Sequence, residues 1–100
     1  MAKKGMIERE KKRQRLVIKY QEKRLILKNE IKMAESFEDK YKLCVKLQAF
    51  PFNSMKIRLR NRCFVTGKSR GFYRDFGLCR NLLRNMGHDC LIPGLVKASW

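Results

Sequence analysis

The stretch RCFVTGKSRGFYRDFGLC, residues 62–79, decides how this chain is built. Cys63 and Cys79 frame it, and the positions three further on hold Thr66 and Leu82. With cysteine at all four positions the spacing would be C-x2-C-x12-C-x2-C, in which each pair clasps one side of a tetrahedral zinc ion. A threonine hydroxyl and a leucine supply no thiolate, so these four positions predict a degenerate site and no closed metal centre. Cys90 and His88 are the nearby substitutes. A set of Cys63, Cys79, Cys90 and His88 has irregular spacing, and His88 reads better as a polar residue at a helix end. Gly67 and Gly71 bracket Lys68-Ser69-Arg70, which predicts a turn in a short hairpin or loop.

Downstream, FGLCRNLLRNMGH reads as a short helix. Leu78, Leu82 and Met86 form its buried face, Arg80 and Arg84 lie four apart on another face, and Gly87 is the expected C-cap. Residues 91–100, punctuated by Pro93 and Gly94, predict an irregular tail. Upstream, the alternation of basic and apolar residues in Lys56–Arg60 predicts an extended segment with one basic face. Pro51 stops a helix near Ala49 or Phe50. That helix starts at Ser36, with Asp39 placed as in a capping box, and Phe37, Tyr41, Cys44, Val45 and Gln48 on one side. Residues 2–33 contain a single glycine and no proline. Leu16, Tyr20, Leu27 and Ile31 share a helical face there, widened by Val17 and Leu25.

These readings give a mainly α chain. Extended N-terminal helices precede a small C-terminal module of short hairpin or loop, helix and irregular tail. Residues 1–50 form a basic helical extension and residues 51–100 an Arg-rich module.

Charge separates the two halves in kind. The chain carries 25 Lys and Arg against nine acids, a net charge of +16. Residues 1–50 hold eleven Lys, four Arg and seven acids, the mixture of a solvated helical surface. Residues 51–100 hold seven Arg, three Lys and two acids. Arginine's planar fork suits phosphate and stacks on bases, so structured contacts are expected from the second half. A surplus this large calls for a polyanion, and nucleic acid is the usual one. Basic side chains anchor phosphates and exposed rings stack on unpaired bases, and Tyr73, beside Arg74, is the ring expected on RNA. Phe64 and Phe76 are expected in the small core. The N-terminal half, isolated, is expected to be partly disordered and to order on assembly.

Other classes fit less well. Acids interspersed in the first helix weaken its attraction to an anionic membrane surface, and no apolar run reaches the length that spans a bilayer. No apolar h-region opens the chain, so no secretory signal is expected and the four cysteines are expected to be reduced. Asp75 stands alone among positive charges. With no carboxylate pair, Ser/His/Asp set or phosphate loop, neither an enzyme nor a small-molecule substrate is expected. A zinc-ribbon-type nucleic-acid-binding module is the remaining alternative.

RNRC, TGKSRGFYRDFGLCR and the ending IPGLVKASW resemble the small-subunit ribosomal protein fourteen family of bacteria and organelles. The opening MAKKGMIEREKKRQRL resembles it too, especially the plastid branch. The resemblance implies a protein of the small subunit's head that binds rRNA and neighbouring head proteins. It places Arg58, Arg60, Asn61, Arg62, Lys68, Arg70, Arg74, Arg80, Lys97, Ser99 and Trp100 on RNA, together with the N-terminal Lys3, Lys4, Arg9, Lys12 and Arg13. A shorter branch of the family keeps four zinc-binding cysteines, and a longer branch with an N-terminal helical insertion generally lacks them. This chain is similar to the longer, zinc-free branch, with no cofactor implied. Cys63 and Cys79 are then remnants whose packing replaces the ion. A plastid ribosome is the implied location, ahead of a bacterial cytoplasm or a mitochondrion.

Overall fold

The computed structural model describes residues 2–99. They are mainly helical: α1 spans Lys4–Met33, α2 Phe37–Gln48 and α3 Arg80–His88, and an antiparallel hairpin pairs β1, Phe72–Tyr73, with β2, Leu78–Cys79. Residues 91–99 are irregular. The chain divides into two compact units, one holding the residues up to Ile7 with those from Arg60 onward, the other holding Glu8–Leu59.

In the Glu8–Leu59 unit, α1 turns a mixed face inward. Leu16, Val17, Tyr20, Leu27 and Ile31 are half-buried as their spacing predicts, but Leu25 is exposed. The rest of the inward stripe is polar. Glu10 is buried beside Arg13 at 3.3 Å, and Arg24 donates from Nε and Nη2 to the buried Ser54 hydroxyl at 3.0 and 2.8 Å. A buried carboxylate needs such a partner to offset its desolvation. The Tyr20 and Phe50 rings lie 5.4 Å apart, with Arg24 over Phe50.

Ser36 is the N-cap of α2, but its side chain makes no capping bond; Glu38 and Asp39 supply negative charge to the first turn instead. The inward face of α2 is Leu43, Cys44 and Leu47, continued by Phe50. Phe37 is 81% exposed, and Tyr41, Val45 and Gln48 are exposed too. The expected face is therefore corrected: α2 turns its leucines inward, and Cys44 is the position common to both readings. The expected extended segment at Lys56 is corrected as well. Phe52–Ser54 and Lys56–Arg58 are single 3-10 turns. Bonds from Arg58 N to Met55 O and Leu59 N to Lys56 O satisfy the backbone locally, where no partner strand is available. Extended backbone begins at Leu59.

The other unit is organised by the 62–79 stretch. Cys63, Leu78 and Cys79 are its buried core, with Leu82, Leu83, Met86 and Ile92 packed around them. Gly67 N–H returns to Cys63 O at 2.9 Å and Cys63 N–H to Lys68 O at 2.9 Å, closing a tight turn. Gly67 has φ +74, and a Cβ there would stand 2.8 Å from Ile7 Cδ1. The first turn of α1 packs against bare backbone at this point. Leu78 and Cys79 belong to β2 and not to α3 as expected, because Cys79 pairs with Phe72; α3 starts one residue later. Gly87 lies inside α3 and is not its C-cap. Asp89 is the cap, Cys90 follows in left-handed backbone at φ 56, and Leu91 N–H bonds Met86 O at 3.0 Å. Phe64, 91% exposed, and Phe76 also leave the core. Phe64 follows an inward-pointing cysteine on the turn and Phe76 sits on the hairpin loop, so both rings project outward.

Candidate nucleic-acid interface

The degenerate knuckle is a hydrogen-bonded cluster. Cys63 is 3% exposed and Cys79 2%. Thr66 Oγ1 lies 3.7 Å from Cys79 Sγ and accepts from Lys68 N–H at 3.5 Å. Burial pushes the Cys63 thiol up, but hydrogen bonds from the Thr66 hydroxyl and from the backbone N–H groups of Thr66, Cys79 and Val65 outweigh it. They bring the thiol down from 9.0 to about 6. Backbone donors aimed at a sulfur stabilise its anion, as a metal ion would. The residues nevertheless do not fit a closed tetrahedral zinc site: Thr66 spends its hydroxyl on the sulfurs, and Leu82 packs against the apolar core. Among the described residues no three His, Cys, Asp or Glu side chains come together to hold a metal. His88 and the exposed Cys90 lie at the opposite end of α3 from Cys79, a helix of about 13 Å at 1.5 Å per residue.

Two clefts flank this cluster. The first has a volume of about 530 Å³ and gathers Arg62, Lys68 and Arg70 with Ser69, Asn81 and Asn85. No carboxylate lines it. Arg62 Nη1 donates to Gly67 O at 3.1 Å, while its Nε is buried without a hydrogen-bond partner in the protein. An unsatisfied charged donor is costly inside protein. Arg60 lies at the edge of the same loop, with Nη2 3.4 Å from Ser69 O.

The second cleft has a volume of about 700 Å³ and lies between β1, α3 and the tail. Tyr73, 51% exposed, forms one wall. Arg80, Arg84 and Lys97 supply a cationic rim with His88 beside them, and Leu83, Leu95 and Val96 an apolar side.

The two clefts bring six of the expected RNA contacts together: Arg62, Lys68 and Arg70 in one, Tyr73, Arg80 and Lys97 in the other. Asn61, Arg74 and Ser99 are exposed in the same unit but line neither cleft, and so are Lys3 and Lys4 at the start of the chain. Arg9, Lys12, Arg13 and Arg58 belong to the Glu8–Leu59 unit, where Arg13 is occupied by Glu10. Trp100 lies outside the described residues. Sequence reasoning missed Asn81, Asn85, Arg84 and His88 as cleft residues. The signal for the last two was present, since Arg80, Arg84 and His88 recur every four residues on α3.

An Arg-rich hairpin-and-helix unit with two acid-free cationic clefts belongs to the class of polyanion-binding modules. Residues 46–99 match the family described as ribosomal protein S14p/S29e. Over the full length of both chains, this one is 69% identical to the small ribosomal subunit protein uS14c of Bigelowiella natans and 60% identical to that of Mesostigma viride. It is also 60% identical, over the full length of both, to the small ribosomal subunit protein uS14 of the strain Thermosynechococcus vestitus. The chain belongs to the ribosomal protein S14p/S29e family.

Proposed function

We infer that this chain is a structural constituent of the small ribosomal subunit, that it works in the plastid ribosome, and that it holds small-subunit rRNA through Arg and Lys contacts to phosphate. It is not an enzyme. Residues 51–100 form the rRNA-binding module, and residues 1–50 the basic helical extension, whose exposed apolar side chains meet neighbouring proteins of the subunit head. The relatives' names support the subunit and the location. The observation that carries the RNA-binding reading is the first cleft, with three cations and no carboxylate among its described lining residues. Its chemistry is charge neutralisation at fixed positions, with Arg62 holding the register and Lys68 and Arg70 adding attraction.

Reconstitution of the small subunit with variant chains tests this. Replacing Lys68 and Arg70 by Ala is expected to lower incorporation about tenfold or more at moderate salt, in line with losing two phosphate contacts. Replacing Lys28 and Lys32, exposed on α1, is expected to have a smaller effect. Equal incorporation of the two double variants would count against the cleft as the RNA face.

A further inference from the structure

We propose that the cleft between β1, α3 and the C-terminal tail receives one unpaired nucleotide of the bound RNA, with its base against Tyr73 and its phosphate on the rim formed by Arg80, Arg84 and Lys97. The proposal rests on the RNA-binding reading above and adds the part of the RNA that is recognised, a base as well as a phosphate.

Both clefts mix cations with apolar surface, supplied by Ala2, Met6 and Leu82 in the one around Arg62, but no aromatic ring of the described residues lines that one. The second adds the Tyr73 ring to an apolar side formed by Leu83, Leu95 and Val96 and to a rim of cations, with no carboxylate among its described lining residues. A phosphate alone has no use for an aromatic wall. A nucleotide does, because it joins a flat, weakly hydrated ring to an anion. Its volume of about 700 Å³ falls in the range of roughly 300–1,000 Å³ usual for small-molecule sites. Asn81 adds an amide that can donate to or accept from a base edge.

The backbone also makes room for this cleft. A Cβ on Gly87 would stand 2.9 Å from Leu95 Cδ2, so a side chain there pushes the end of Leu95 aside. A base within reach of Tyr73 must be unstacked from its neighbours, which a duplex does not offer, so the ligand is a loop, a bulge or a strand end.

The experiment compares the full-length chain's affinity for two short oligoribonucleotides of equal length and charge by fluorescence anisotropy. One carries ordinary bases and the other is abasic throughout. The ordinary RNA is expected to bind about 5- to 150-fold more tightly, the range that stacking of one base gives. Tyr73→Ala should abolish that difference and leave the abasic affinity unchanged, while Tyr73→Phe retains it. Gly87→Val, which displaces Leu95 and not the rim, should reduce it as well. Equal binding of the two oligomers by the parent chain would overturn the pocket and leave phosphate binding standing. A Tyr73→Ala variant that loses affinity for both oligomers alike would also overturn it. Failure to bind either oligomer would sink the RNA-binding reading along with the pocket.

Discussion

At the scale of a residue, Thr66 does the most unusual work in this molecule. Its hydroxyl serves two sulfurs that a metal ion would otherwise bridge: it bonds the Cys63 thiolate and lies 3.7 Å from Cys79 Sγ. The consequence is a pH-dependent fold. The Cys63 thiol sits at about 6 in the folded chain against 9.0 for an ordinary thiol. A group held below its unfolded value adds stability that is complete above the unfolded value and is lost as pH falls through the folded one. Thermal unfolding of the chain should therefore move to higher temperature between pH 6 and pH 9. Thr66→Val keeps the shape and removes the hydroxyl. It should flatten that slope and destabilise the fold at pH 8 by about 1 kcal/mol, the usual net worth of one hydrogen bond. Calorimetry across the pH series reads both effects. A slope unchanged in the variant would mean that the hydroxyl contributes nothing to the thiolate.

Among the elements, α3 shows how a short helix is stopped without the expected residue. Leu91 N–H reaches back to Met86 O and Cys90 N–H to Gly87 O, the two bonds of a Schellman closure. The position between helix and tail that usually holds glycine is Cys90, at φ 56. A side chain in left-handed backbone costs roughly 1–2 kcal/mol. Cys90→Gly is accordingly expected to raise stability by about 1 kcal/mol, less than the full strain because glycine also frees the unfolded chain. A lower melting temperature in this variant would show that the cysteine side chain contributes more than its backbone strain costs. Gly87, which the sequence offers as the stop, lies inside the helix against the end of Leu95.

For the molecule as a whole, a net charge of +16 on 100 residues is the governing fact. The buried apolar core of the described residues is three side chains, two of them cysteines. So small a core does little against the self-repulsion of the cations, and RNA phosphates supply the missing attraction. Binding must then release counterions. Affinity for rRNA should fall by roughly three decades or more between 50 and 200 mM salt if six or more phosphates are engaged. Filter binding over a salt series measures it, and the Lys68 and Arg70 double variant should lower the slope by about two. A salt-independent affinity would contradict phosphate contact as the source of binding.

Local grammar and class were legible in the residues alone. Pro51 ended α2, the i, i+4 spacing of Leu16 and Tyr20 marked the inner face of α1, the Cys63 and Cys79 spacing located the knuckle, and the charge named the polyanion. These follow from short-range sterics, helical period and composition, which any chain reveals without folding. Packing between distant parts of the chain set the rest. It turned Leu43 and Leu47 inward on α2 in place of Phe37 and Tyr41, and put Phe64 outside the core. It also placed Tyr73, Arg84, His88 and Lys97 around one cleft although 24 positions separate the first from the last. Which of several apolar faces is buried, and which distant cations share a wall, depends on what packs opposite them, and no local pattern carries that information.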